Sequence, residues 1–203
     1  MSTTTTEPLV PELAAPPAPA RPRVLVTGTV LASAAAAMVF AGMLGFYLHT
    51  RAATIEAEGS WLPQGVEIPL SPGNMALITL VMSAVIMQWA VYTIGNDDRR
   101  ATYIALGLAV LLGAAYINEI AYYYTQMGEL TVREPVGMLI FGITGAHLVM
   151  AGIAIVFVVL MAFRTLGGQY SARDREGIVA ATLFWYVMVA VYAAIWYAIF
   201  ITK

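Results

Sequence analysis

Five long apolar segments are the feature that most constrains how this chain can fold. A helix that crosses the roughly 30 Å hydrocarbon core of a bilayer needs about 20 predominantly apolar residues. The qualifying segments are residues 24–49, 74–94, 101–124, 135–163 and 178–201. Of the 203 residues, 60% are hydrophobic and only 11% are charged, which is more apolar surface than a soluble domain can bury. The sequence therefore predicts an all-α integral membrane protein with five transmembrane helices.

Residues 1–23 differ in composition from the rest of the chain. They are rich in Thr, Pro and Ala and show no apolar periodicity, so we expect a disordered or extended arm. The early charges are acidic, and basic residues come only at Arg21 and Arg23. This order is opposite to that of a secretory signal peptide. We therefore expect the first apolar segment to be retained as a transmembrane helix.

The distribution of basic residues predicts the orientation of the helices. Seven lie before helix 1, between helices 2 and 3, or between helices 4 and 5: Arg21, Arg23, Arg99, Arg100, Arg164, Arg173 and Arg175. Three lie on the opposite side: Arg51, Arg133 and Lys203. Cytoplasmic loops are enriched in Lys and Arg. The N-terminus is therefore predicted in the cytoplasm, the C-terminus outside, and residues 51–73 in an outer loop.

Glu119 and His147 are the ionisable residues that lie well inside the apolar segments. Such residues are costly in a membrane unless they are hydrogen-bonded or face water, a lipid headgroup or another polar group. Asn118 and Tyr122 are nearby hydrogen-bond donors for Glu119. Two interpretations stay open for each residue. One is a contact with a proton, a lipid or an ion in a cleft between helices, and the other is a structural hydrogen bond between helices.

The sequence offers few residues that could ligate a metal ion or a haem. Two axial histidines would be needed for a bis-histidine haem, and His49 is predicted at a helix end while His147 is deep. Clustered His or carboxylate ligands for zinc or copper are missing, and there is no cysteine. No phosphate-binding loop or dinucleotide fingerprint occurs. We expect no catalytic residue, metal or cofactor in this chain, and no nucleic-acid partner.

Small residues mark possible helix contacts. In lipid, small side chains let two helix backbones approach closely. Helix 1 carries the run ASAAAAM (32–38), which includes Ala36, and helix 4 carries Gly142, Gly145 and Gly152. These residues predict tight packing within the chain or against a partner. The alternative is that Ala and Gly are simply common in transmembrane helices.

Several motifs follow one another in a recognisable order over residues 24–203. Helix 1 contains TGTVLASAAAAMVFAGMLGFYLHTRA (27–52), and WLPQGVEIPL (61–70) leads into helix 2. Helix 3 ends shortly after Glu119, helix 4 contains TGAHLVMAG (144–152), and helix 5 contains FWYVMVAVYAAIWYAIF (184–200). In these motifs the chain resembles subunit III of haem-copper terminal oxidases. The resemblance is to the short five-helix form found in actinobacterial cytochrome c oxidases.

The chain departs from the family pattern at several polar positions. A family glutamate in helix 1 corresponds to Ala36, and one of two family histidines in helix 4 corresponds to Thr144. In helix 5 the family histidine and aspartate fall on Tyr186 and Val189. These losses weaken a proton-related role and indicate a divergent member of the family.

The resemblance implies a non-catalytic subunit of an aerobic terminal oxidase in the bacterial plasma membrane. Such a subunit packs against the catalytic subunit I and other oxidase subunits, holds phospholipid in a cleft, and binds neither haem nor copper, which belong to the catalytic partner. Glu119 and His147 would then line the cleft or brace its helices. Two alternatives stay open: an accessory subunit of another haem-copper enzyme such as nitric oxide reductase, and a small proton-coupled transporter that uses Glu119.

Overall fold

The computed structural model describes residues 23–128, 130 and 132–202, and all its regular structure is helical. The predicted arm therefore lies outside the described residues except for Arg23. The helices are α1 (Val24–Glu58), α2 (Leu70–Gly95), α3 (Arg99–Gln126), α4 (Pro135–Leu166) and α5 (Glu176–Trp196), and a π-helical segment (Tyr197–Ile201) continues α5. Five helices of the described chain are long and apolar enough to cross a membrane, which confirms the all-α membrane fold.

Helices α1 and α2 extend into the predicted outer loop. Helix α1 continues to Glu58 and ends at Gly59, whose φ of 78° is the left-handed conformation common after a helix. Helix α2 begins at Leu70, and Pro72 is accommodated in its first turn, where a missing N–H costs nothing. The segments predicted from the sequence, 24–49 and 74–94, are shorter than these two helices. Hydropathy identifies only the apolar span, whereas a helix continues until its backbone is capped.

Helix α5 is the central element and α1 a peripheral one. In their most apolar 18-residue windows, 61% of α5 is buried and only 17% of α1. Helix α5 packs against α1, α2 and α4, while α3 packs against α2 and α4. The predominantly outward-facing surface of α1 is consistent with contact to lipid or to a partner.

Hydrogen bonds between side chains or backbone groups tie most neighbouring helices together. Trp185 Nε1 of α5 donates to Ser83 Oγ of α2 (2.8 Å), and Trp196 Nε1 donates to Asn74 Oδ1 (2.8 Å). The hydroxyls of Thr93 and Thr102 join α2 to α3 at 2.9 Å. In a membrane, where hydrophobicity does not drive helices together, such bonds and close packing hold a bundle in one arrangement.

The bundle end at which α1, α3 and α5 begin, here called the basic end, has a cross-helix cap. The backbone N–H groups of Leu25 and Val26 donate to Glu176 Oε1 at 2.8 and 3.1 Å. The first amides of a helix lack intrahelical acceptors, and a carboxylate there also suits the helix dipole. Glu176 therefore fixes the start of α1 on the start of α5. The predicted cytoplasmic location of this end stays a prediction.

Trp61, in the connection between α1 and α2, packs against the bundle. Its side chain is 5% exposed, and its indole N–H donates to Tyr47 Oη at 3.2 Å. The two rings also meet edge to face, with centroids 5.5 Å apart. The connection is thus held down on α1 by a buried aromatic pair.

Candidate functional site

His147 forms a fully buried polar cluster in the middle of the bundle. Its Nδ1 lies 2.6 Å from Tyr116 Oη of α3, and its Nε2 lies 2.9 Å from the carbonyl oxygen of Met188 of α5. The side chain has no exposed surface. Phe40 and Tyr192 surround the ring, with centroids 5.8 and 5.4 Å from it. His147 on α4 therefore connects α1, α3 and α5, and we call it and these four residues the His147 cluster.

The partners of His147 determine which ring nitrogen carries a proton. A carbonyl oxygen only accepts hydrogen bonds, so Nε2 must donate to Met188. In the neutral ring Nδ1 then accepts a hydrogen bond from the Tyr116 hydroxyl. Both ring nitrogens are engaged in bonds between helices. This geometry supports the structural interpretation of His147.

Glu119 lies between α2 and α3 and is only partly satisfied. Its Oε1 accepts a hydrogen bond from Thr79 Oγ1 of α2 at 2.8 Å. Its Oε2 is buried and has no hydrogen-bond partner among the described residues. The side chain as a whole is half-buried. Glu119 thus keeps an unused acceptor inside the apolar span, which a purely structural hydrogen bond would not need.

Asn118 and Tyr122, the donors expected from the sequence, do not bond Glu119 in the structure. Both side chains are exposed, and Tyr122 has 56% of its surface accessible. Asn118 precedes Glu119 by one position and therefore projects in a different direction. Tyr122 lies one turn further on and is directed outward. The donor is Thr79 on the adjacent helix. A threonine in an apolar segment gives little signal of such a role, because its hydroxyl can bond its own backbone.

A shallow groove begins about one helical turn from Glu119. It is lined by Pro69, Ser71, Pro72, Met75, Tyr122 and Gln126. Tyr122 follows Glu119 by three residues on α3, and Met75 precedes Thr79 by four on α2, so the groove and the Glu119–Thr79 pair lie between the same two helices. Asn118, Tyr122 and Gln126 are spaced four apart on one side of α3. We call this surface the α2–α3 groove.

Glu119 and His147 do not form one site. They bond different helices, since Glu119 bonds α2 and His147 bonds α3 and α5. Their link is indirect, through Tyr116, which lies three residues before Glu119 on α3. The sequence left open whether they face each other, and the structure separates them into a closed cluster and a partly open pair.

The glycines of α4 are not where the chain packs most tightly. A Cβ added to Gly142 or Gly152 would meet nothing within 4 Å, and one added to Gly145 would lie 3.9 Å from Tyr124 Oη. Of the two alternatives, the structure therefore shows no close contact within the chain at Gly142 or Gly152. Contact with a partner remains a prediction for them. Ala36 is half-buried against the core.

Close packing instead occurs at Gly113 of α3 and Gly73 of α2. A Cβ on Gly113 would come within 2.9 Å of both Ile155 and Trp185, and one on Gly73 would lie 2.5 Å from the ring of Phe200. Both glycines receive a bulky side chain from α4 or from the α5 segment. Nothing in the sequence around Gly113 distinguished it from the outward-facing glycines.

The expectation that this chain holds no haem or metal ion stays a prediction, and the surroundings of its two histidines bear on it. No three His, Cys, Asp or Glu side chains gather into a possible metal site in the described part of the chain. His147 has both ring nitrogens in hydrogen bonds. His49 is exposed and lies nine residues before the end of α1, not at the helix end as predicted, because α1 continues to Glu58. Axial ligation would require His147 to give up one of its interhelical bonds.

Comparisons with known proteins identify the family of this chain. Residues 19–202 match the family described as cytochrome c oxidase subunit III. The chain belongs to this family. It is 28% identical over 187 residues to cytochrome c oxidase subunit 3 of Corynebacterium diphtheriae, covering 90% of this chain and 88% of that one. The bovine subunit 3 is 27% identical over 188 residues, covering 90% and 71%.

A sea urchin subunit 3, from Strongylocentrotus purpuratus, is 28% identical over 165 residues, or 79% of this chain. This chain spans 63% of the length of that relative. The subunit III chain described here is thus shorter than some relatives. Its match to the corynebacterial relative covers most of both chains.

Thr144, Tyr186 and Val189 are the positions of α4 and α5 at which the sequence departs from the expected subunit III pattern, and the structure shows what each contacts. Thr144, where a family histidine was expected, shares a 2.9 Å hydrogen bond with Tyr124 Oη and also donates to the Ile140 carbonyl. Tyr186 is exposed and donates to Gln88 Oε1 at 2.7 Å, and Val189 is buried. At Thr144 a smaller polar group therefore still joins α3 to α4. Val189 contributes an apolar side chain to the core.

Proposed function

We propose that this chain is a non-catalytic subunit of a bacterial cytochrome c oxidase, in the plasma membrane. It stabilises the catalytic subunit and supports electron transport and oxygen reduction by the complex. The family match over residues 19–202 is the observation that carries this proposal. The redox chemistry belongs to haem and copper in the catalytic partner, and this chain contributes a scaffold whose helices are joined by buried hydrogen bonds.

The proposal includes a phospholipid in the α2–α3 groove. Tyr122 and Gln126 line the mouth of the groove at the end of α3, where an amphipathic side chain suits a headgroup. Met75 offers an apolar surface for an acyl chain. Glu119 lies seven residues before Gln126, about 10 Å deeper. Its Oε2 is buried and has no partner among the described residues, so a contact with the lipid would require a rotation of the Glu119 side chain or a bridging water molecule.

The experiment is purification of the tagged chain from its own membranes in a mild detergent. We expect it to copurify with a large haem-containing subunit and bound phospholipid, detected by absorption spectroscopy and native mass spectrometry. Glu119→Ala should reduce the retained lipid and the thermal stability of the complex while leaving the haem spectrum unchanged. Purification of the unaltered chain alone, as a stable monomer, would overturn the proposal.

Glu119→Gln is the matched control for the lipid site. It preserves the acceptor for Thr79 and most of the side-chain volume, so it should retain more lipid than Glu119→Ala. An altered haem spectrum in either variant would argue that Glu119 acts on the redox centre. Equal lipid retention by the unaltered chain and both variants would remove Glu119 from the lipid site.

An accessory role in a nitric oxide reductase remains the second candidate. The observation in its favour is the set of non-family residues Ala36, Tyr186 and Val189, which alter the polarity of two helices. The same purification distinguishes the two, because the copurified haem subunit would show nitric oxide reduction in place of oxygen reduction.

A further inference from the structure

A hydrogen-bonded pair of polar side chains is exposed on the membrane-facing surface between α2 and α5. Tyr186 Oη donates to Gln88 Oε1 at 2.7 Å, and Tyr186 is 38% exposed. Gln88 lies seven residues before the end of α2, about 10 Å from it, and Tyr186 lies ten residues after the start of α5, about 15 Å from it. Both distances start from the basic end. The pair is therefore inside the apolar span and away from the headgroups.

The Gln88–Tyr186 pair has hydrogen-bonding capacity that lipid tails cannot use. The Gln88 amide has two N–H donors, and no described residue accepts from them. The Tyr186 oxygen can also accept a further bond. Hydrocarbon chains offer neither donors nor acceptors, so an uncovered amide at this depth is unfavourable. A transmembrane helix with a polar side chain would satisfy both groups.

The surface around the pair has the shape of a helix-binding groove. Val81, Ala84, Val85, Gln88 and Tyr186 line a shallow groove between α2 and α5. Ala190 and Ala194, both exposed, extend it along α5 at four-residue spacing from Tyr186. Small residues beside a hydrogen-bonding group are the combination that holds transmembrane helices together. We call this surface the α2–α5 groove.

The outward face of α1 lacks this combination. Its exposed side chains include Leu31, Met38, Val39 and Phe46, which lipid tails cover without loss. That surface also exposes several small residues, among them Ala32, Ala35 and Gly42, but α1 contains no amide side chain that could bond a partner. The polar complementarity required by Gln88 and Tyr186 therefore distinguishes the α2–α5 groove from an ordinary lipid-facing surface.

We propose that the α2–α5 groove binds a transmembrane helix of the catalytic oxidase subunit, with Gln88 and Tyr186 bonding a polar group on that helix. This inference rests on the proposed function, because it assigns a face to the partner named there.

Site-specific crosslinking tests the groove, and the absence of cysteine makes the chain suited to it. Ala190→Cys in the groove and Ala35→Cys on α1 are matched exposed positions, each to be labelled with a maleimide photocrosslinker in intact complex. We expect Ala190→Cys to crosslink to a transmembrane peptide of the catalytic subunit, identified by mass spectrometry, and Ala35→Cys not to. Crosslinks from Ala190→Cys only to lipid, to a second copy of this chain or to another subunit would overturn the proposal.

Two further variants measure what the groove contributes. Gln88→Leu with Tyr186→Phe should lower the copurified catalytic subunit about threefold to tenfold, in line with one or two interhelical hydrogen bonds. Ala190→Trp should block the groove and lower it about tenfold or more, whereas Ala35→Trp should leave it unchanged. Each yield is normalised to the amount of this chain in the membrane, which separates loss of binding from loss of folding. Full retention by Ala190→Trp would overturn the groove as the docking face.

Copurification of the unaltered chain distinguishes failure of the proposed function from failure of the docking face alone. If it does not copurify with a catalytic haem subunit at all, the proposed function fails. If it does, and the groove variants retain the subunit as well as the α1 variants do, only the docking face fails.

Discussion

The His147 cluster and the Glu119–Thr79 pair are two polar sites in the same bundle with opposite degrees of closure. Both ring nitrogens of His147 are bonded, three aromatic rings contact it, and none of its surface is exposed. Glu119 has one hydrogen bond, and its second carboxyl oxygen is buried without a partner. The structure therefore gives His147 a role inside the chain, whereas one buried acceptor of Glu119 is left without a partner.

The difference in hydrogen bonding between His147 and Glu119 bears on how an isolated ionisable residue in a membrane helix should be interpreted. Such a residue is a functional candidate by default, and by sequence both residues qualified. What separates them is whether the protein itself supplies all the hydrogen-bond partners. A closed cluster resists change and stabilises the bundle, while an open one is available to a lipid, a water molecule or a proton.

Replacing His147 by alanine should have the largest effect on the chain itself. His147→Ala would leave the Tyr116 hydroxyl without its partner and create a cavity among Phe40, Tyr116 and Tyr192. We expect a loss of about 2–4 kcal/mol in the free energy of unfolding. Thermal or denaturant unfolding in detergent, followed by circular dichroism, measures it.

His49→Ala is the control, because the other histidine is exposed. It should change the free energy of unfolding by less than about 0.5 kcal/mol. A similar small effect for His147→Ala would contradict the idea that the cluster is a structural tie.

Adding one methyl group at Gly113 tests whether the closed cluster depends on close packing beside it. Gly113 lies three residues before Tyr116, and a Cβ there would collide with Ile155 and Trp185. Gly113→Ala should cost about 1–3 kcal/mol through overpacking. The same unfolding measurement applies.

Gly142→Ala is its counterpart on α4, where an added Cβ meets no atom within 4 Å. It should be neutral or slightly stabilising, because alanine favours a helix more than glycine does. Equal losses at the two positions would show that helix propensity, and not packing, sets the cost.

Glu119→Gln should affect the stability of this subunit less than His147→Ala or Gly113→Ala and so sharpen the contrast with His147. The amide oxygen can still accept from Thr79, so we expect a loss below about 1 kcal/mol. Thermal unfolding of the purified complex measures this, and lipid retention should change more than stability does. A loss as large as that of His147→Ala would place both residues in the same structural class.

Much of the fold could be predicted from sequence because membrane-spanning length and apolar composition are local properties. Five apolar segments coincided with five helices, and the bounds differed mainly where α1 and α2 continue beyond the apolar span. The motifs also indicated the subunit III family, which the family match confirmed.

The partners of individual side chains could not be predicted, because they depend on how each helix is rotated about its axis. Thr79 was missed as the donor to Glu119, and Gly113 was missed as a packing site, while Gly142 and Gly152 point outward. Apolar periodicity does not reveal helix rotation in a membrane protein, because lipid-facing and core-facing residues are both apolar.

The sequence alone determined the class of protein, the number of spanning helices and the two residues whose polarity is costly in a membrane. The packing of the helices makes His147 fully bonded and leaves one carboxyl oxygen of Glu119 without a partner. The physical reason is that the cost of a buried polar group depends on its hydrogen-bond partners, and here those partners come from other helices. The sequence shows which polar residues lie in the apolar segments, and the packing of the helices determines whether their hydrogen bonds are made.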